Sequence, residues 1–323
     1  MAGGQERILR RRIKSVQSTK KITRAMELIA ATRVLKAQQR AVAARPYAEQ
    51  ITSVIQHLAA AGASIDHPLL RSSGDVRKIA YVVVTSDRGL AGAYNTSVIR
   101  AAEREVQDRR ADGIDYSLIL VGKKAESYFK FRNYRIDAAF NGMSDTPTFE
   151  DARTVAGLVA EAFVSGDVDQ VQLVYTRFLS VGTQRVVVRR FMPLDSAGLA
   201  ESAHGPTADY EYEPAPAAIL EELLPRYVEA RLFAALLDAS ASEHANRQRA
   251  RKSATDNAEE LITKLSRVMN RARQDAITTE IMEIIGGAES LSQGKGSPND
   301  LLVDKVGAND FFQARNEHAG AKS

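Results

Sequence analysis

The 323-residue sequence is 44% hydrophobic and 26% charged, the balance of a folded globular chain rather than a disordered or membrane-embedded one. It contains no cysteine, which excludes disulfides, cysteine-based zinc sites and thiol switching, and no apolar stretch nears the ~20 residues that span a bilayer. The formal net charge is +4, yet residues 1–45 hold twelve basic side chains against two acidic ones. That local excess suits an acidic partner, a nucleic acid, a transit peptide or a plain solvated face. A secretory signal is excluded, because Arg10 to Arg24 offers no apolar core.

From Gln5 through Ala61 there is no glycine, and Pro46 is the only proline. Helix-breaking residues are thus nearly absent, and the spacing of Ile8, Ile13, Val16, Ile22, Met26, Ile29 and Val34 predicts one long helix with these residues on its contact face. Pro46 is expected to kink it near Arg45. The centre of the chain changes character. Lys78-Ile-Ala-Tyr-Val-Val-Val-Thr-Ser86 reads as a strand buried on both faces, Thr96 to Ala111 as an amphipathic helix, and Tyr116 to Gly122 as a second strand. Lys123 to Phe131 and Thr148 to Ser165 read as helices, and Gln170 to Phe178 and Gln184 to Phe191 as strands. Alternating strands and helices predict a Rossmann-like α/β domain of about five strands.

Leu194 to Pro216 is a linker rich in glycine, proline, serine and aspartate. Between Arg226 and Ile285 neither glycine nor proline occurs, and Ala258, Leu261, Leu265, Val268, Ala272 and Ala276 predict a second long helix. At ~1.5 Å per residue the two helices would run about 85 and 90 Å, and they pair most simply as an antiparallel coiled coil. Ser240 to Asn257 contains no Leu, Ile, Val, Phe or Met. A coil with so polar a seam needs enclosure, here expected from another protein. The expected organisation is therefore an N-terminal shaft helix over 1–62, a central α/β domain with its linker over 77–212, a C-terminal shaft helix over 213–289, and an irregular tail over 290–323.

Sites of chemistry are scarce. Thr85-Ser-Asp-Arg-Gly-Leu-Ala-Gly-Ala-Tyr-Asn95 lies between a strand and a helix, where nucleotide-binding folds hold phosphates. It lacks both the third glycine of the dinucleotide fingerprint and the Gly-Lys-Ser/Thr ending of the P-loop. A structural turn capped by Asp87 and Asn95 is the stronger reading. The five histidines are scattered without metal-ligand spacing, and no Gly-x-Ser-x-Gly elbow is present, so no cofactor, metal or catalytic residue is expected. A basic helical hairpin bound to nucleic acid stays open on charge alone, though residues 1–46 carry no aromatic side chain for base stacking. A nucleotide-binding enzyme built on the central domain is the third reading.

Two segments are more specific. Arg12-Ile-Lys-Ser-Val-Gln-Ser-Thr-Lys-Lys-Ile-Thr-Arg-Ala-Met-Glu-Leu-Ile-Ala-Ala-Thr-Arg33 resembles the N-terminal signature of the γ subunits of F-type ATP synthases. Ala254-Thr-Asp-Asn257 and Ala272-Arg-Gln-Asp-Ala-Ile-Thr-Thr-Glu-Ile-Met-Glu-Ile-Ile-Gly-Gly-Ala288 resemble the C-terminal one. Arg45-Pro-Tyr47, His67-Pro68, Ser86 to Asn95 and Tyr212-Glu-Pro214 agree in order, so the likeness spans residues 3 to about 289. Ala91 stands where many relatives have cysteine, and no cysteine-bearing insert is present. The resemblance implies a torque-transmitting rotor shaft without a catalytic site of its own. It would be present as one copy inside a hexamer of alpha and beta subunits, with epsilon and the membrane c-ring at its foot and no nucleic acid bound. By the same resemblance Arg12, Met26, Glu243, Arg247, Arg273, Gln274 and Thr278 would meet the beta subunit. The protein would lie peripherally on the cytoplasmic face of the bacterial plasma membrane. The tail over 290–323 extends beyond where many relatives stop; its composition reads as a passive disordered extension, with contact to the stator cap or a brake on rotation as the alternative.

Overall fold

A computed structural model describes residues 2–60, 67–70, 74–194, 213 and 215–293. Helix α1 (Ala2–Ala60) comes first and is 59 residues long. Strand β1 (Lys78–Val84), helix α2 (Tyr94–Ala111), strand β2 (Asp115–Val121), helix α3 (Lys123–Phe131), strand β3 (Ala138–Phe140), helix α4 (Phe149–Val164) and strands β4 (Gln170–Phe178) and β5 (Gln184–Met192) follow, and helix α5 (Pro216–Gln293) ends the described chain. The α1 helix continues through Pro46, and α5 through Pro225 and on past Gly286 and Gly287. By packing the chain divides into Val16–Leu261 and the described residues of Met1–Ser15 with Ile262–Ser323.

Within Val16–Leu261 the five strands form one sheet in the order β3-β2-β1-β4-β5. The pairs of β1 with β2, β1 with β4 and β2 with β3 are parallel, while β4 and β5 form an antiparallel hairpin. The central place of β1 explains why its sequence is apolar at every position from Ile79 to Val84. Ile79, Tyr81 and Val83 face α2 and α3 through Val98, Ala102, Val106, Ala125 and Phe129. The alternate residues Ala80, Val82 and Val84 face the other layer, as strand pleating requires. That second layer is not α4 alone. Ile51, Ile55 and Leu58 of α1 and Leu220, Leu224, Val228 and Leu236 of α5 belong to the same core as Val155 and Val159 of α4. The lower parts of both long helices are thus part of the α/β body, where each buried leucine or isoleucine contributes roughly 1.5–3 kcal/mol.

The α4 helix begins with a reciprocal cap: the Thr148 hydroxyl accepts from the Asp151 N–H and the Asp151 carboxylate accepts from the Thr148 N–H, worth about 1 kcal/mol. Strand β3, only three residues long, was not among the sequence expectations. Ala138-Ala-Phe140 carries no β-branched residue and is recruited by pairing with β2.

The contact faces of the long helices depart from expectation. Over residues 16–41 of α1 a three–four alternation of less exposed positions runs through 16, 20, 23, 27, 30, 34, 37 and 41. It carries Lys20, Thr23 and Glu27 inward, while Ile22, Met26 and Ile29 are 60%, 36% and 54% exposed. On α5 the sequence face predicted Leu261 and Val268, but both are exposed. Thr255 and Ala258 take the inner face before residue 261, and Ile262, Leu265, Met269, Ala272 and Ala276 take it beyond. Lys20 and Glu259 pair at 3.0 Å, and the Thr255 and Thr23 hydroxyls meet at 3.0 Å. Small and polar residues therefore make the seam where Lys20 and Thr23 face Thr255 and Glu259.

Enclosure of the polar stretch is also reassigned in part. Ser240, Ser242, Glu243, His244 and Arg247 are buried by this chain itself, and Ala241 and Ala245 pack with Val34, Ala37 and Phe178. The expected tail starts late, since α5 continues to Gln293; residues 294–323 lie outside the described residues, as do Tyr212, Pro214 and most of the linker.

Candidate functional site

The loop after β1 sits where the crossovers of the sheet change direction, the usual ligand crevice of such folds. Here the crevice is filled from within. Asp87 places its carboxylate against the N–H of Lys123 at the start of α3, at 3.2 Å, and against the N–H groups of Gly142 and Ser144 at 3.0 and 3.2 Å. Burial alone would raise this carboxyl, but the three backbone donors outweigh it and hold it below the ordinary value. The Thr85 hydroxyl accepts from the Ala125 N–H at 3.0 Å. Gly122 is at φ 98°, and a Cβ there would lie 2.3 Å from the Thr85 carbonyl oxygen. The start of α3 and the turn at Gly142 to Ser144 are thus engaged by side chains of the loop that follows β1. Asp87 does cap a helix, though it is α3. Asn95 instead accepts from the Ser86 N–H at 2.9 Å and ties the loop to α2.

Arg88, Gly89 and Leu90 of the same loop turn toward the long helices. With Met26, Ile29, Ala30 and Arg33 of α1 and Arg247 and Arg251 of α5 they line a cleft of about 370 Å³. Leu90 is 76% exposed at φ 61°, a conformation costing a leucine about 1–2 kcal/mol. A strained, exposed leucine beside four guanidinium groups marks a surface shaped for something other than water.

Beneath the cleft lies a buried polar cluster. Arg247 pairs with Glu243 at 2.6 Å. Asp145, in the loop before α4, receives Arg33 of α1 at 2.7 and 2.9 Å on its carboxylate. The Asp145 carbonyl accepts from the Ser240 hydroxyl at 3.0 Å and lies 3.2 Å from His244 Nε2. Arg40 adds a bond to the carbonyl of Pro147. One loop therefore ties α1 to α5. Burial raises the Glu243 carboxyl against the opposing pull of Arg247. Burial, helped by Arg247 and Arg33, lowers His244 and keeps it neutral despite Asp145. On the far side Arg249 donates to the carbonyl of Gly182 at 2.8 Å, so the β4–β5 turn grips α5 as well.

The expected contact residues thus fall into groups. Met26 and Arg247 share the cleft, but Glu243 is 1% and Arg247 6% exposed, so their main partner is each other. Arg12, Arg273, Gln274 and Thr278 are exposed, and Gln274 and Thr278, four apart, share one face of α5. Sequence reasoning missed Arg33, Arg88, Leu90 and Arg251. Only Arg33 lay within a quoted signature of the long helices, and nothing in a linear pattern brings the Arg88 loop to α5. Beyond Ala276 the described helix is exposed all round, with Ile277, Ile281, Met282, Ile284, Ile285 and Leu291 between 49% and 74% accessible. No described group of histidines and acids has the arrangement to hold a metal ion, and no described helix is long and apolar enough to cross a membrane.

A doubly wound body joined to two long helices that leave large apolar side chains bare defines a subunit built for assembly. Residues 5–291 match the family model described as ATP synthase. The chain is 49% identical over 296 residues to the ATP synthase gamma chain of Frankia casuarinae, covering 90% of this chain and 99% of that one. It is 50% identical to that of a Parafrankia strain over the same shares of both chains. Among solved structures it resembles chains of the Euglena gracilis mitochondrial ATP synthase, OSCP/F1/c-ring (TM-score 0.63, 21% identity, 92% of this chain and 98% of that one). It also resembles the Tetrahymena thermophila central stalk/c-ring (TM-score 0.57, 23% identity, 72% and 99%). The chain belongs to the ATP synthase gamma-chain family.

Proposed function

We propose that this chain is the central rotor shaft of an F-type, proton-translocating ATP synthase. It transmits torque between a membrane c-ring and a catalytic hexamer of three alpha and three beta subunits, and it has no catalytic site of its own. It is one copy in a membrane-associated complex, and it lies on the cytoplasmic face of a bacterial plasma membrane with epsilon bound to the α/β body. The observation that carries this reading is the surface of the long helices. Their seam has small and polar residues where Lys20 and Thr23 face Thr255 and Glu259, while Ile22, Met26, Ile29 and the apolar side chains from Ile277 to Leu291 are left bare. A shaft that turns inside a sleeve needs an internally held hairpin and an outer surface that slides.

Within this reading Met26, with Arg33, Arg88 and Arg251 at the 370 Å³ cleft, meets an acidic segment of the beta subunit. Arg12, Arg273, Gln274 and Thr278 make polar contacts with beta from exposed positions. Glu243 and Arg247 act mainly from inside, by fixing the cleft floor against the Asp145 loop. Co-expression with alpha and beta subunits, size exclusion and an ATPase assay test the proposal. Co-elution in a large complex with turnover raised above that of alpha and beta alone supports it; elution of the chain by itself with unchanged turnover overturns it.

A further inference from the structure

Where α1, the β4–β5 pair and α5 meet, a cavity of about 180 Å³ is lined by Arg177, Arg189 and Arg231 together with Tyr175, Tyr227 and Asp238. A larger cleft of about 610 Å³ shares Arg177 and Asp238 and adds Arg45 and Glu49. The inner cavity therefore sets three guanidinium groups against one carboxylate. Among the described residues none of these three arginines forms an ion pair. Arg231 lies 5.5 Å from the Phe191 ring and 5.4 Å from the Tyr227 ring and hydrogen-bonds the Tyr227 side chain, as Arg189 does that of Tyr175, so their cavity partners are neutral phenols rather than anions. Burial holds Arg231 below its ordinary value, and Arg189 adds repulsion. Burial pushes Asp238 up to about 6 although Arg177 and Arg45 pull it down. Arg177 and Arg189 are exposed and only Arg231 is half-buried, so the three guanidinium groups repel one another across the cavity mouth, and an added anion relieves that excess.

We propose that this cavity binds a small tetrahedral oxyanion, with inorganic phosphate as its representative, through Arg177, Arg189 and Arg231. The three side chains come from three elements, β4, β5 and α5, so the ligand must present oxygens in three directions. A tetrahedral oxyanion does so, whereas a carboxylate presents two. At about 30 Å³ per water the space admits the ion with part of its hydration shell. Bound there, the anion joins the outer hairpin of the sheet to the base of α5 and stiffens the joint between them.

Titration calorimetry of the full chain with phosphate, and separately with sulfate, at constant ionic strength in chloride tests this. One saturable site for both anions is expected. Arg189→Gln and Arg231→Gln should each weaken it about tenfold or more, as loss of a charge-assisted bond does. Asp238→Asn, which removes the competing carboxylate, should tighten it at least about threefold, and Arg88→Gln, outside the cavity, should leave it unchanged. Arg189 is exposed, so its variant keeps the test valid if Arg231→Gln fails to fold. The proposal is overturned by the absence of saturable heat with either anion. It is equally overturned by affinity indifferent to Arg189→Gln, or by affinity that Asp238→Asn does not raise.

Discussion

The two ends of α5 are alike in composition and opposite in environment. Near its start Leu220, Leu224, Val228, Leu232 and Leu236 are all at most 3% exposed, whereas near its end Ile277, Ile281, Ile284, Ile285 and Leu291 are 49–74% exposed. The first set covers the sheet with α1 and α4; the second meets nothing within the described chain. Apolar content by itself therefore does not say which part of a helix is core. The base is held by this chain's own body, and the far stretch carries its apolar surface for an assembly partner.

The largest effect should come from the polar cluster at the base. Arg247→Ala leaves the Glu243 carboxylate buried without its cation, which should cost about 3–5 kcal/mol in urea unfolding of the full chain, and a double replacement of both by apolar residues should recover most of it. A double variant as unstable as the single would show that the pair is not what holds this region. Next, Leu224→Ala should lose about 2–5 kcal/mol, while Ile284→Ala should change the stability of the isolated chain by under about 0.5 kcal/mol and yet lower the ATPase of the assembled complex. Equal stability losses at the two positions would break the comparison.

The longer strands were legible in sequence, while the division of α5 into a buried start and a bare end was not, and that has a physical cause. The β-branched runs of the α/β body became strands, Val82 to Val84 among them in a sheet buried on both faces, whereas Ile277-Thr-Thr279 lies in α5. The contact face of α1 was misread because apolar residues were assumed to point inward. Ile22, Met26 and Ile29 point out, and Lys20, Thr23 and Glu27 lie along the seam. A chain that keeps its apolar surface for another protein reverses the usual rule, and no count of apolar spacing within one sequence can detect that. The cleft residues Arg88 and Leu90 were out of reach for another reason. They come to α5 only through the sheet topology and the hold of Asp87 on the starts of its neighbours.

Smaller effects sharpen the picture of the base. The Asp238 carboxyl is raised from 3.8 to about 6, so the folded state holds a proton the unfolded chain has released in that interval. Stability from this group is present below about 4 and is lost as pH rises to about 6, then stays level. Thermal melts of the wild type and Asp238→Asn should show a difference that grows in favour of the variant across that window; parallel curves would place the carboxyl in a wetter setting. Smallest of all is the pair of Lys20 and Glu259 across the seam, with side chains 35% and 66% exposed. Glu259→Gln should cost no more than about 1 kcal/mol, with the cost fading in high salt.

The central claim is that this chain turns within an assembly, and the absence of native cysteine permits a direct test. Arg104→Cys, on the exposed face of α2, provides a single attachment point for a bead on a surface-held complex with alpha and beta subunits. Unidirectional rotation that requires ATP and stops when ATP is removed is the expected result. A complex that hydrolyses ATP at full rate while the bead stays still, or drifts without direction, would contradict the account.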